Sequence, residues 1–386
     1  MKVTNVKSVY YEILKHKKEI NGVINYVKKG DISGFTPPSA LVGEYNYPNV
    51  SVGVMFTDDY KAQIYDAPKL WAKNNFNVSD VFSLRTKLVN ASKNFNVNNI
   101  NLEELERIRL AVISANEINI DLKVSNPNLP KIAGDGIYQH GIRTHLDKFT
   151  IRDNFKIDNK IEKIYYDKDM RATDGILSLY NSKIDENRIS KMLSIGAMGI
   201  KRKLVPTKWS ITAVDDSVGK DKINLVKTLP KGEDYKIITG QFLGNKFTFM
   251  FIKGPWSFEL LETWNRDKDS VFMGSGDYEF YGGRKEYVKN TAGAYYAVRL
   301  AVLEKLLEMK TQYSVLVVRE ILPEYFVPLG VWVVREGARK AINGEFTEVH
   351  DMQTAISKLK SLVLFPANLE NRSQILKMKR TQTTLI

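Results

Sequence analysis

One stretch of the chain carries more chemistry than any other: Lys201-Arg202-Lys203-Leu204-Val205-Pro206-Thr207-Lys208-Trp209-Ser210-Ile211-Thr212-Ala213-Val214-Asp215-Asp216. Four basic side chains precede Trp209, and two adjacent carboxylates close the run. Neighbouring carboxylates are tolerable when solvated, paired with cations or bound to a metal. A Mg²⁺-dependent phosphoryl or phosphodiester site would use Asp215 and Asp216 to hold the metal or activate water. Arg202, Lys203 and Lys208 would then stabilise the phosphate charge, and Trp209 would offer a ring to a base. The plainer reading is structural: Asp215 or Asp216 caps the helix that follows.

A second set is Gln139-His140-Gly141-Ile142-Arg143-Thr144-His145-Leu146-Asp147. Imidazoles, a guanidinium and a carboxylate lie close together there, so His140 is a candidate general base and Arg143 a phosphate contact. Two His and an Asp also suit a metal, and ordinary polar hydrogen bonding is the plain alternative. Gly274-Ser275-Gly276 and Gly282-Gly283-Arg284 precede a long helical pattern. A glycine-rich loop entering a helix cradles phosphate through backbone N–H groups, with Arg284 adding charge; a surface turn is the alternative. Arg319-Glu320 ends an apolar run, where an Arg clamps phosphate bidentately or sits in a structural ion pair. The signatures of P-loops, nucleophile elbows, zincins and EF-hands are all missing.

The chain closes with Lys377-Met378-Lys379-Arg380-Thr381-Gln382-Thr383-Thr384-Leu385-Ile386. Gln382 followed three residues later by Leu385, with Ile386 beside it, is the front half of a sliding-clamp-binding peptide. Such a peptide makes a short helical turn that plugs apolar side chains into a pocket. A frayed terminus is the alternative.

These residues need elements to position them. Residues 3–29 read as a basic amphipathic helix, or two with a break near Gly22, stopped at Gly30. ALVGEYNYPNVSVGVMF has strand-forming residues broken by Gly43, Pro48 and Gly53. Leu102 to Asn119 reads as a helix with Asn101 as N-cap and acids in its first turns. KIEKIYY reads as a strand, WSITAV as a strand ending at Asp215-Asp216, and 217–228 as a helix. Gly244-Asn245 marks a hairpin, Tyr287 to Lys310 a long helix and SVLVVREI a strand. Two helices close the body. The expected fold is mixed α/β, closer to α+β, with an antiparallel or mixed sheet packed against helices. The expected organisation is a basic helical segment over 1–30, a body over 31–375 with a subdivision near 126–136, and a tail over 376–386.

Composition narrows the function. The chain has 386 residues, 43% hydrophobic and 26% charged, which excludes a disordered chain and suits a globular one. It has no cysteine, so disulfides, a Cys nucleophile and a Cys-based zinc site are excluded. The N-terminus lacks a signal-peptide apolar core, and no apolar run reaches membrane-spanning length. A cytoplasmic protein with no membrane partner is expected. Fifty-seven Lys and Arg against 44 Asp and Glu give a net charge of +13. That excess suits a polyanion, since neutralising phosphates releases counterions.

Three blocks give these features a common frame. Ser33-Gly34-Phe35-Thr36-Pro37-Pro38-Ser39 continues into Val42-Gly43-Glu44-Tyr45-Asn46-Tyr47-Pro48 and Asp66-Ala67-Pro68. Lys203 to Asp216 is the second, and Arg319-Glu320-Ile321 through Tyr325-Phe326-Val327-Pro328-Leu329-Gly330-Val331-Trp332 to Arg335-Glu336 the third. Together they resemble the archaeal Nre family of DNA repair proteins over roughly residues 30–340. The resemblance implies a role in DNA damage repair and binding to the PCNA clamp through a C-terminal peptide, mapped onto Gln382 and Leu385 with Ile386 beside them. The usual peptide continues to two aromatic residues, which this chain lacks. It also lacks the four-Cys zinc element that many members have. The expectation is therefore a DNA-binding repair protein that docks on PCNA. The alternative is a repair enzyme acting on a nucleotide or a phosphodiester through Asp215, Asp216 and His140, and a pure interaction scaffold is the third reading.

Overall fold

The computed structural model describes residues 6–125, 141–267 and 270–384. They form two units: residues up to Ser217 with Phe326–Leu329, and Val218–Tyr325 with the chain from Gly330 onward. Each unit is built on its own mixed six-stranded sheet with helices, so the α+β expectation is borne out.

The first unit begins with helices α1 (Val6–Lys15) and α2 (Lys17–Val27). The break falls at His16 rather than Gly22, and backbone hydrogen bonds from His16 to Glu12 and from Ile20 to His16 run through it. Gly30 stops the helix with φ +81°, a conformation that favours glycine. Strands β1 (Asp31–Thr36), β2 (Ala40–Val42), β3 (Asn49–Phe56), β4 (Val89–Asn96), β5 (Ile118–Ser125) and β6 (Ile142–Ile151) form a sheet ordered β1-β5-β6-β4-β3-β2. Only the β4–β6 pair is parallel. Helices α3 (Pro68–Lys73), α4 (Val78–Thr86) and α5 (Glu103–Ile113) lie between strands. α5 starts after Leu102, one residue beyond the expected cap. It ends early because the Ser114 hydroxyl donates to the carbonyls of Ala111 and Asn116, and a strand follows.

Three short helices come next: α6 (Asn159–Tyr166), α7 (Ala172–Asn181) and α8 (Glu186–Ser194). The expected KIEKIYY strand is therefore a helix. Its buried residues are Ile161, Ile164 and Tyr165, an i, i+3, i+4 set that strand alternation cannot bury together. Asp158 caps it by accepting from the Lys160 N–H at 2.9 Å. The expected WSITAV strand is corrected in the same way. Thr207–Val226 is one 20-residue helix, α9. Ser210, Val214 and Val218 are buried at i, i+4 and i+8, and this burial outweighs the poor helix propensity of its β-branched residues.

The second unit carries β7 (Tyr235–Phe242), β8 (Asn245–Ile252), β9 (Ser257–Asp267), β10 (Ser270–Glu279), β11 (Ser314–Ile321) and β12 (Thr347–Val349), ordered β10-β9-β11-β8-β7-β12. The expected hairpin joins β7 to β8, with Leu243 and Gly244 both at positive φ, as a two-residue turn of type I′ requires. β11 is buried along its whole length, which is why its sequence is a continuous apolar run. One sheet face meets α10 (Gly293–Met309) and α11 (Val331–Ile342) through Phe247, Phe249, Phe258, Leu260, Val315 and Val317. The other meets α12 (Met352–Leu362), α13 (Leu369–Arg372) and α14 (Gln374–Thr384) through Met250, Leu261, Leu316 and Val318. α10 begins later than the expected Tyr287. The Asp277 carboxylate accepts the N–H groups of Asn290 and Thr291 (3.0 and 2.7 Å) and holds that stretch outside the helix.

Candidate nucleic-acid interface

The first unit brings together two sequence blocks that lie far apart in the chain. Val97 in the loop after β4 donates its N–H to Pro48 O and accepts from the Leu204 N–H, both at 2.9 Å. The Val42 N–H donates to Thr207 Oγ1 at 2.8 Å, and Thr207 Oγ1 lies 3.0 Å from Ser194 Oγ. The 42–48 loop and the start of α9 are thereby sewn side by side. On this seam the rings of Tyr47 and Trp209 sit 5.6 Å apart at 40°. Tyr45, Tyr47 and Trp209 are 82%, 48% and 48% exposed. Lys208 meets Glu44 at 3.3 Å, and Lys201 and Lys203 are exposed on the approach to the helix. The first N–H groups of a long helix, exposed ammonium groups and exposed rings together suit a phosphate–base polymer. The Lys208–Glu44 pair faces solvent, and such pairs hold their partners only weakly.

The first unit also holds a buried ionic cluster. Asp66 accepts from Arg85 at 2.6 Å, from Lys191 at 2.5 Å and from the Ser39 hydroxyl. Arg85 also lies 4.9 Å from the Trp71 ring. Burial alone would raise the Asp66 pKa, but the two cations and the hydrogen bonds overcome it and hold the carboxyl far below the usual range. Ser39 and Asp66 both belong to the resemblance blocks, and here they act as the support for β2 and α3.

The other candidates are placed as follows. Arg202 donates to the carbonyls of Tyr165 (2.6 Å) and Asp167 (3.0 Å) and lies over the Tyr165 ring at 5.5 Å. It satisfies acceptors left open at the end of α6, so it is a helix clamp rather than the expected phosphate contact. Burial pulls its pKa below the ordinary guanidinium value. Asp215 and Asp216 stand in the middle of α9 rather than at a strand end, and Asp215 is fully buried. Consecutive helical positions point in directions about 100° apart, so the two carboxylates cannot face one metal as a pair. No cluster of three or more metal-ligating side chains occurs among the described residues.

Arg143 is exposed on β6, and the exposed His145 and Asp147 follow it at alternate positions, 3.7 Å apart. They lie on one open face of a strand rather than in a loop. His140 lies outside the described residues. In the second unit Arg284 donates to Tyr278 O at 2.7 Å beside the glycine turn. Arg319 is fully buried. It donates to Asn245 Oδ1 at 3.1 and 2.6 Å and pairs with Glu262, so each of its three nitrogens is engaged inside the protein and the expected phosphate clamp is corrected to a buried ion pair. Burial raises the Glu262 pKa, Arg319 pulls it down, and the nearby Asp277 pushes it up again, leaving a net rise.

The C-terminal residues begin from a fixed anchor. Glu259 accepts from the Ser373 hydroxyl (2.6 Å) and from the N–H groups of Gln374 (2.9 Å) and Ile375 (3.0 Å). It thereby caps the start of α14, whose Ile375 and Leu376 are fully buried. Lys379 Nζ donates to Lys253 O at 3.0 Å, and Arg380 pairs with Glu370. Gln382 lies in the last turn of α14, while Leu385 and Ile386 are outside the described residues.

Sequence reasoning singled out Lys208 and Trp209 but missed their partners Glu44 and Tyr47 and the exposed Tyr45 between those two in the chain. The available signal was the Glu-Tyr-Asn-Tyr-Pro run itself, two aromatics in a stretch too polar and too broken to be core.

The fold and this seam define a two-unit α+β protein with a basic, aromatic face, and comparison with known proteins agrees on its class. A family model described as archaeal Nre, N-terminal, matches residues 6–272, and one described as archaeal Nre, C-terminal, matches 279–386. The chain belongs to the Nre family. It is 34% identical to DNA repair protein NreA of Haloferax volcanii over 364 residues, 90% of this chain and 86% of that protein. It is 32% identical to DNA repair protein NreB of Archaeoglobus fulgidus over 336 residues, 84% of each chain. The NreA of the same organism is 34% identical over 339 residues, again 84% of each. These names support a role in DNA repair. No solved structure matches the chain. Among the described residues, no helix is long and apolar enough to cross a membrane.

Proposed function

We propose that this is a cytoplasmic DNA repair protein that binds DNA through the seam of the 42–48 loop and α9, and docks on the PCNA clamp through its last residues. The observation that carries the DNA reading is the exposed Tyr45, Tyr47 and Trp209 beside Lys208, assembled from two blocks about 160 residues apart. Lysines and the helix start hold phosphates, and the Tyr47–Trp209 pair stands where it can wedge against a base step. The net charge of +13 adds long-range attraction. For the clamp, the Glu259 anchor fixes the start of α14, the helix whose last turn holds Gln382.

The test is binding of a labelled duplex of about 20 base pairs, a span typical of a single protein footprint. Trp209→Ala with Lys208→Ala should weaken binding by roughly tenfold or more while leaving thermal stability nearly unchanged, because both side chains are exposed. Unaltered duplex affinity sinks the seam assignment. In parallel, deleting residues 382–386 should abolish binding to PCNA without affecting DNA binding. Clamp binding that survives the deletion removes the tail from the mechanism.

A further inference from the structure

The stretch between β10 and α10, residues 280–292, has no role in the reading above. It starts at a tight turn in which the Gly283 N–H donates to Phe280 O at 2.8 Å. Gly282 and Gly283 have no atoms other than those of their chain neighbours within 4 Å of where a side chain would stand. Around it Tyr281 and Tyr287 are 48% and 55% exposed, and the rings of Tyr278 and Phe280, themselves exposed, lie 5.1 Å apart at 53°. Lys227 Nζ lies 4.6 Å over the Tyr281 ring, and Arg284 holds the turn through Tyr278 O.

The stretch is anchored, not loose. The Val288 N–H donates to Tyr296 Oη at 3.2 Å, and Tyr287 packs on the same buried ring at 5.3 Å. The acids beside it are turned inward: Asp277 caps Asn290 and Thr291, and Glu279 pairs with Arg299 at 3.0 Å. The exposed charges are then Lys285 and Lys289 with one carboxylate, Glu286, beside the half-buried Arg284. No aliphatic side chain is exposed between Tyr278 and Asn290, since Val288 is buried. Protein interfaces also favour Tyr, Phe and Arg but are depleted in lysine, and here the exposed Lys285 and Lys289 flank the rings. A row of rings among cations, with glycines giving close backbone approach, fits unpaired bases on a phosphate chain.

We propose that this aromatic turn of the second unit is a stacking platform for single-stranded DNA. The inference deepens the DNA-binding reading by naming a second surface and the kind of strand it takes. Tyr281 and Tyr287 are the stacking residues, Lys227 and Arg284 hold their geometry, and Lys285 and Lys289 meet the phosphates.

The experiment measures anisotropy of the full-length protein with a labelled oligothymidine of about 20 bases, longer than one typical single-strand site, and with the duplex used above. Tyr281→Ala with Tyr287→Ala should weaken single-strand binding by roughly tenfold or more and leave duplex binding within about twofold. The double Phe variant should bind like the parent, since stacking needs the ring and not the hydroxyl. Lys285→Gln with Lys289→Gln should lower the slope of log affinity against log salt by about 1.4. Unchanged single-strand affinity in a folded Ala variant overturns the platform while leaving the seam reading standing. Equal loss on both DNA forms overturns the single-strand assignment. A protein that binds the oligothymidine but whose seam variant binds duplex normally fails the seam reading alone.

Discussion

Two buried ion clusters, one in each unit, set the same chemical groups to opposite effect. In the first, Asp66 meets Arg85, Lys191 and Ser39 together, and the cations drive its pKa down against the cost of burial. In the second, Glu262 meets a single guanidinium that also serves Asn245, with the Asp277 carboxylate nearby, and burial drives its pKa up. Glu259 and Glu320 in the same unit are raised for the same first reason, although each accepts backbone N–H groups. The difference is one of stoichiometry. Two cations on one carboxylate recover more than desolvation removes, whereas one shared cation does not. Either way, Arg85 and Arg319 are committed to the fold, and the proposed DNA face draws its charge from exposed lysines.

The sharpest way to break this comparison is to remove the shared cation. Arg319→Met leaves the buried Glu262 without its partner and should cost about 3–5 kcal/mol of unfolding free energy in urea, the usual scale for an orphaned buried charge. Adding Glu262→Met to that variant should recover most of the loss, because two apolar side chains then fill the site. If the single variant loses less than about 1 kcal/mol, well short of that scale, Arg319 does not neutralise Glu262 and the contrast between the units fails.

The sequence exposed much of the fold, and for a physical reason. β11, the β7–β8 hairpin and the Gly30 stop each rest on local rules: an apolar run, a two-residue turn and a left-handed glycine. The errors came where tertiary burial overrides local preference. Val214 and Ile211 suggest a strand, and only their neighbours in the fold make α9 a helix. KIEKIYY misled because a short apolar run fits both periods. In the site, Trp209 and Lys208 were legible because exposed rings beside lysines are unusual. Tyr47 was not, because its partnership depends on Val97 bridging Pro48 and Leu204, a contact that no spacing encodes. Arg319 was misread because a guanidinium at a strand end looks the same in sequence whether a phosphate or Glu262 faces it.

A smaller effect sharpens the comparison through pH. Asp66 has a folded pKa below its ordinary value of 3.8, so its stabilisation is complete above that value and is lost only as pH falls through the depressed one. Glu262 has a folded pKa above its ordinary value of 4.5. Its contribution is complete below 4.5 and is lost as pH rises through the raised value. Between pH 4.5 and about 7, the stability difference between the parent and Asp66→Asn should therefore be constant, at about 2–3 kcal/mol for the lost charged hydrogen bonds. The difference between the parent and Glu262→Gln should shrink as pH rises above 4.5, because ionising this carboxyl costs more in the folded chain than in the unfolded one. Unfolding both variants in urea at several pH values reads this directly. A slope in the Asp66→Asn difference across this window would show that burial, not the cations, governs the first cluster and that the two clusters obey one rule.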